Sequence, residues 1–242
     1  MQLVGLPLLI FIIWFGFSER DFDKISAFDS HALIMVLVGC LAAILSSSSA
    51  VTAWRTFSCL RELIPNAGIL AAQTDSLEQE RTELRDFWLR GDRAQALNLS
   101  QSSASPVLQK LTDLVVKRAP DASIETAFME LRHAELSRWQ PAVSNWELLS
   151  KLGPSFGMVG TITGMIQLFK SMGTDNLNIG AAMSLALIAT LYGVAFGAGV
   201  AGPIGHYLRE RLDEKLGAIE RCEQTTRELI ALSRGDQRRV GA

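Results

Sequence analysis

Thr161, Thr163, Ser184, Thr190 and Tyr192 place hydroxyl groups inside two long stretches that hold no Asp, Glu, Lys or Arg. A hydroxyl both donates and accepts a hydrogen bond, so such residues can line a path for a proton or a small cation. They do not titrate near neutral pH. The group that holds an ion in transit through an apolar interior is normally a carboxylate, and none of the long apolar blocks of this chain contains one. Either the chain transports nothing or a partner helix brings the acid. The plainer reading is that a Thr in a membrane helix bonds the carbonyl one turn back and does nothing else. Pro154 and Pro203 form a second pair, one near the start of its block and one near the end. Each removes a backbone donor and loosens a helical turn, so two at one depth would make a hinge layer; the plainer reading is that prolines are common near helix ends.

Other chemistry finds no support. The sequence has no nucleotide-binding glycine loop, no nucleophile elbow and no zinc spacing. His31, His133 and His206 are scattered, and Cys40, Cys59 and Cys222 are odd in number and suit neither a metal site nor a disulfide framework. The net charge of −2 is too near zero to indicate nucleic acid. The expectation is a protein that is not an enzyme, takes no cofactor and has no nucleic-acid partner.

The hydroxyls must be positioned by membrane helices. Mean hydropathy is +0.21, and the apolar residues fall into four blocks of about the length that crosses a bilayer. These define spans over 1–18, 30–54, 152–170 and 176–206, separated by charged segments. The first block has no basic start and no small-residue cleavage site, so it reads as a retained helix rather than a signal peptide. Arg55, Arg61, Arg138 and Lys151 flank the spans on one side, and Arg209, Arg211, Lys215 and Arg221 follow the last. The positive-inside rule puts the insert 55–151, the tail 207–242 and the N-terminus in the cytoplasm.

The insert reads as helical throughout. The second span leaves the membrane at Trp54 and Arg55, and Pro65–Gly68 breaks the chain. A capping box at Asp75–Glu78 predicts a helix start there, with an end near Arg90–Asp92. A short helix follows up to the loop Ser100–Pro106, then one over Val107–Arg118, then one from Ser123 toward the membrane with a kink at Pro141. In the tail, Leu208, Leu212, Leu216, Ile219 and Leu229 form an apolar stripe, with Arg209/Asp213 and Glu223/Arg227 as i,i+4 pairs on the charged face. The fold class expected is an all-α integral membrane protein with four spans, a helical cytoplasmic insert between spans 2 and 3, and a cytoplasmic C-terminal helix.

Gly153-Pro-Ser-Phe-Gly-Met-Val-Gly-Thr161 with Gly164, then Met183-Ser-Leu-Ala-Leu-Ile-Ala-Thr190-Leu-Tyr-Gly193 and Gly202-Pro203, resemble the MotA/TolQ/ExbB family. Phe28–Leu63 looks like the second span of its MotA branch, and four spans suit that branch better than the three-span TolQ and ExbB. The resemblance implies a bacterial inner-membrane, homopentameric ring around two copies of a single-span B-type partner. That partner's membrane Asp carries the ion, and ion flow turns the ring as a motor stator driven by the proton motive force. It further implies that Thr161 and Thr190 face the ion pathway and that Pro154 and Pro203 couple motion. Sodium-driven relatives have a Thr where this chain has Ala189, which implies H+ rather than Na+. In the insert, Arg85, Arg90 and Arg93 are candidates to touch a cytoplasmic load or rotor. The Glu that follows such an Arg in flagellar relatives is missing here, and Gly91–Leu97 with Ser105-Pro106 looks more like the TolQ/ExbB insert. A gliding or phage-defence motor, a flagellar one, a TolQ/ExbB-like energiser and a passive membrane scaffold all remain open at this point.

Overall fold

The computed structural model describes residues 30–63, 69–172 and 179–240, and every element among them is helical. In chain order these are α1 (Ser30–Ser47), α2 (Ala50–Ser58), a 3-10 turn (Cys59–Leu63), α3 (Ile69–Leu89), α4 (Arg93–Ser102), α5 (Pro106–Val116), α6 (Asp121–Ser171), α7 (Ile179–Val194), a π turn (Ala195–Ala201) and α8 (Gly202–Val240). The contacts divide the chain into two units, residues 1–58 with 142–207 and residues 59–141 with 208–242. The expected first span and the break at Pro65–Gly68 lie outside the described residues. Among the described residues, one helical run, Ala186–Ser233, includes a stretch long and apolar enough to cross a membrane, while Ala32–Ser47 is apolar but shorter. The stretch 152–170 is part of the 51-residue α6, where Gly, Ser, Thr and Pro dilute its apolar character.

In the unit of residues 59–141 and 208–242, α3, α4, α5, the first part of α6 and most of α8 enclose a core of large side chains. Leu84, Leu108, Leu111, Ile124, Phe128, Ile219 and Leu229 are fully buried there. The buried positions Leu208, Leu212, Lys215, Ile219, Cys222, Thr226 and Leu229 of α8 follow a four-three repeat, which keeps one stripe of a helix facing its neighbours. The stripe therefore passes through Lys215, not through the predicted Leu216, which is half-buried. Lys215 is tolerated because its Nζ is 2.8 Å from Gln73 Oε1 and in ion-pair contact with Glu135 Oε2 at 2.9 Å.

Two boundaries differ from expectation. Helix α3 begins at Ile69, not at Asp75. Leu70 is buried, and Thr74 Oγ1 donates to Leu70 O at 2.8 Å, so burial of this extra turn outweighs the local cap signal. Glu78, free of a capping role, binds Arg81 and Arg221 instead. The stretch 30–54 is also not one helix, because it breaks between Ser47 and Ala50. Ser49 starts the new helix by accepting the Thr52 N–H on its Oγ at 3.3 Å. The remaining insert helices fall within a few residues of expectation. Gly91 ends the α3 turn at φ 83°, a left-handed conformation that Gly adopts without penalty. α6 runs unbroken through Pro141.

Candidate ion path and its glycine crossing

Gly153, Gly157, Gly160 and Gly164 recur on α6 at spacings of four, three and four, which puts them on one helix face. All four are buried. Gly153, Gly157 and Gly160 meet small residues of α7 and the π turn in antiparallel register. A methyl group on Gly153 would sit 2.6 Å from Gly193 O and 2.8 Å from Gly197 Cα, and one on Gly193 would collide with Gly153 O. One on Gly157 would lie 3.1 Å from both Ala189 O and Thr190 Cα, and one on Gly160 would run into Ala189 Cβ. The two backbones thus pack at a distance that no larger residue allows, the arrangement that holds helices together where lipid offers no hydrophobic drive. Helix α1 backs the crossing. Met35 Cε is 3.1 Å from the position of a Gly160 methyl, the Phe156 ring fills the space beside Gly39, and Ala32 packs with Ile188, Ala189 and Tyr192.

This crossing brings the two predicted path residues to within about one helical turn of each other. Thr161 follows Gly160 on α6, Thr190 follows Ala189 on α7, and Gly160 and Ala189 are in contact. Both threonines are half-buried. Thr161 Oγ1 donates to Met158 O at 2.6 Å, Thr163 Oγ1 to Val159 O at 2.8 Å and Thr190 Oγ1 to Ala186 O at 3.2 Å. Each hydroxyl spends its proton on its own helix, which leaves its oxygen as an acceptor for a donor from elsewhere. Ala189 itself is fully buried against Gly160, so packing by itself explains a small residue there. Tyr192 turns to the α1 side of the seam and joins the cluster around Ala32.

Pro154 and Pro203 occupy different settings. Pro154 is half-buried, and its Cδ is 2.5 Å from where a Gly197 methyl would be; Pro203 is exposed. Lacking an N–H, Pro154 leaves Ser150 O without its helical donor, and Gly197 approaches that same oxygen, with a methyl there only 2.6 Å away.

Sequence reasoning missed a buried polar junction in this unit. Asn145 accepts from Ser48 Oγ at 2.9 Å and donates through Nδ2 to Thr56 Oγ1 at 2.8 Å, while Trp146 Nε1 donates to Thr56 O at 2.8 Å. The junction ties α2 to α6. Its only trace in the sequence is a polar Asn-Trp pair just ahead of an apolar block.

In the other unit, the three arginines proposed as load contacts gather at the α3–α4 turn. Arg85 Nε is 3.5 Å from Glu228 Oε2, the Arg93 guanidinium stands 5.6 Å over the Trp88 ring, and Arg90 is exposed beside the exposed Leu89. Arg227 Nη2 binds Glu223 Oε1 at 2.8 Å, as the tail pattern predicts, and Arg132 Nη2 binds Glu223 Oε2 at 2.6 Å. Burial pushes the Glu78 carboxyl up, but hydrogen bonds and charge from Arg81 and Arg221 outweigh it and hold the group below its ordinary value. Burial drives the Cys222 thiol up to about 12, so it stays protonated and inert.

The model of the MotA/TolQ/ExbB proton channel family matches residues 99–221, just over half of the chain. Motility protein A of Aquifex aeolicus is 36% identical over 88 residues, which cover 36% of this chain and 34% of that protein, so the chain spans about a third of that relative's length. Among solved structures, C. jejuni MotAB superposes with a TM-score of 0.77 at 14% identity over 95% of this chain and 88% of the other. The flagellar MotAB stator complex from Bacillus subtilis gives 0.72 at 18% identity over 94% and 88%. At such identities the likeness speaks to the fold alone.

Proposed function

The chain belongs to the MotA/TolQ/ExbB proton channel family, and on that premise we propose that it is a MotA-like stator subunit of the bacterial inner membrane that conducts protons together with a B-type partner. In this reading the chain crosses the membrane four times, over 1–18, 30–54, 152–170 and 176–206. Its insert 55–151, its tail 207–242 and both termini are cytoplasmic. Five copies form a ring around two copies of the single-span partner, whose membrane Asp supplies the acid that no apolar block of this chain contains.

The observation that carries the reading is the glycine crossing. It holds Thr161 and Thr190 on two neighbouring helices within about one turn of each other, with their oxygens able to accept from a proton-bearing group of the partner. The absence of a second hydroxyl at Ala189 favours H+ over Na+. Pro154 and Pro203 serve as coupling points between ion passage and helix motion. Arg85, Arg90 and Arg93, with Leu89, form the surface offered to a load. The likeness to motility proteins favours a torque-generating role over a TolQ/ExbB-like one.

The test uses the full chain co-expressed with a single-span B-type subunit and reconstituted in proteoliposomes. Thr190→Val and Pro154→Ala are each expected to co-purify with the partner and to lose partner-dependent proton flux. Normal flux in both variants would remove these residues from the path, and tolerance of all such changes with no flux in any pairing would leave a membrane scaffold.

A further inference from the structure

Helix α7 does not join α8 as a continuous α-helix. Residues Ala195–Ala201 form a π turn, in which the Gly202 N–H donates to Gly197 O, five residues back. A π turn accommodates one residue more than an α turn. Its consequence here is geometric. Gly193 meets Gly153 of α6, while Gly205 packs on Trp146 and Glu147 of the same helix, with a methyl there 3.3 Å from the Glu147 N and the Trp146 Cβ.

Twelve residues separate Gly193 from Gly205, and at about 100° per residue an unbroken α-helix would point them about 120° apart. They could not then both face α6. Taking up one residue in the π turn subtracts about 100° and brings them to within about 20° of one face. The turn is seated where α6 has its own defect. Gly197 approaches Ser150 O and the Pro154 ring, at distances of 2.6 Å and 2.5 Å for a methyl in its place. Only a residue without a side chain fits there.

We infer that the π turn, fixed by Gly197 against Pro154 and Ser150, is the positioning element that sets the rotational phase of Thr190 relative to α6. Thr190 lies on the near side of the turn and Gly202–Gly205 on the far side, so an α-helix over the same number of residues would swing Thr190 by about 100° against the far side, whereas one that is a residue shorter would keep its phase. The inference rests on the reading of Thr190 as a lining residue of the proton path. Gly197 acts through Thr190 and touches no ion itself.

Deletion of Ala198, whose side chain is exposed, converts the seven-residue turn to α-helix. The shortened chain keeps Thr190 in phase and, co-expressed with the B-type subunit, is expected to bind the partner and to conduct as the unaltered chain does. Insertion of one Ala after Ala198 turns Thr190 by about 100° against the far side and is expected to leave partner binding in place but to carry proton flux no higher than empty vesicles. A direct reading of phase comes from spin labels placed singly at positions 183–208 of the otherwise full-length complex, with oxygen as the collision agent. The accessibility wave is expected to slip by about 100° across 195–201, and an unbroken wave overturns the inference even if the deletion chain never accumulates. Normal flux after the insertion, with flux lost in Thr190→Val, also overturns it and leaves the proposed function intact. Normal flux in Thr190→Val removes the proposed path itself.

Discussion

In the unit of residues 1–58 and 142–207, helices approach until glycine backbones meet carbonyl oxygens. In the unit of residues 59–141 and 208–242, leucines, a phenylalanine and paired charges hold helices together at ordinary distances. Gly153, Gly157 and Gly193 carry the first packing. Leu84, Leu108, Phe128 and Ile219, with Lys215 and Glu223 satisfied by partners, carry the second. The contrast follows from the solvent each packing suits. Water drives large apolar side chains together, whereas lipid does not, and there close backbone contact and small residues must supply the attraction. The proposed function divides its duties in the same way, with the arginines offered to a load on one unit and the acid-free hydroxyl pair on the other.

A series of substitutions tests that contrast, from the largest effect downward. Lys215→Met strips Glu135 of its buried cation and is expected to destabilise its unit by about 3–5 kcal/mol, read by denaturant unfolding of the detergent-solubilised chain. Adding Glu135→Leu should restore most of the loss, since an apolar pair can replace a buried ion pair. If the single change is harmless, the buried pair contributes nothing to this core.

Gly153→Val presses its side chain into Gly193 O and should cost about 3 kcal/mol by overpacking, visible as a lower Tm. The sharper comparison is Gly→Ala in both units. Gly153→Ala is expected to destabilise, while Gly217→Ala, which meets only the flexible end of Arg221 at 3.4 Å, should stabilise α8 by about 0.5–1 kcal/mol. Equal effects at the two sites would erase the distinction. Asn145→Leu removes the donor and acceptor that Thr56 and Ser48 use, at an expected cost of about 1–2 kcal/mol, measured the same way.

The smallest effect concerns pH. The Glu78 carboxyl is held below its unfolded value by Arg81 and Arg221, so its contribution is fully present above the ordinary Glu range. That contribution is lost as pH falls through the lower, folded value. Glu78→Gln should flatten the acid side of the stability profile of its unit, and an unchanged profile would show that the two arginines do not stabilise the charged form.

Much of this was legible in the sequence because it depended on local pattern. Apolar blocks, the turn glycine at 91 and the Pro at the start of α5 set most helix ends within a few residues. Thr161, Thr163, Ser184, Thr190 and Tyr192 stood out together as hydroxyls in acid-free blocks, and the family resemblance singled out Thr161 and Thr190 among them. What sequence could not give was set by contacts between distant segments. The start of α3 moved to Ile69 because Leu70 finds a core, and Lys215 entered the buried stripe because Gln73 and Glu135 wait for it. The Asn145 junction joins residues about ninety positions apart in the chain. The π turn leaves only a run of small residues before Pro203, and its role emerges from the shared face of Gly193 and Gly205.

The central claim is that this chain lines a proton path but does not own the acid that carries the proton. It is tested most directly by measuring proton flux into vesicles that hold the chain alone and vesicles that hold it with a co-expressed B-type subunit. The account predicts flux only in the second set, driven by an imposed gradient. Flux through the chain alone, or none with the partner present, would contradict it.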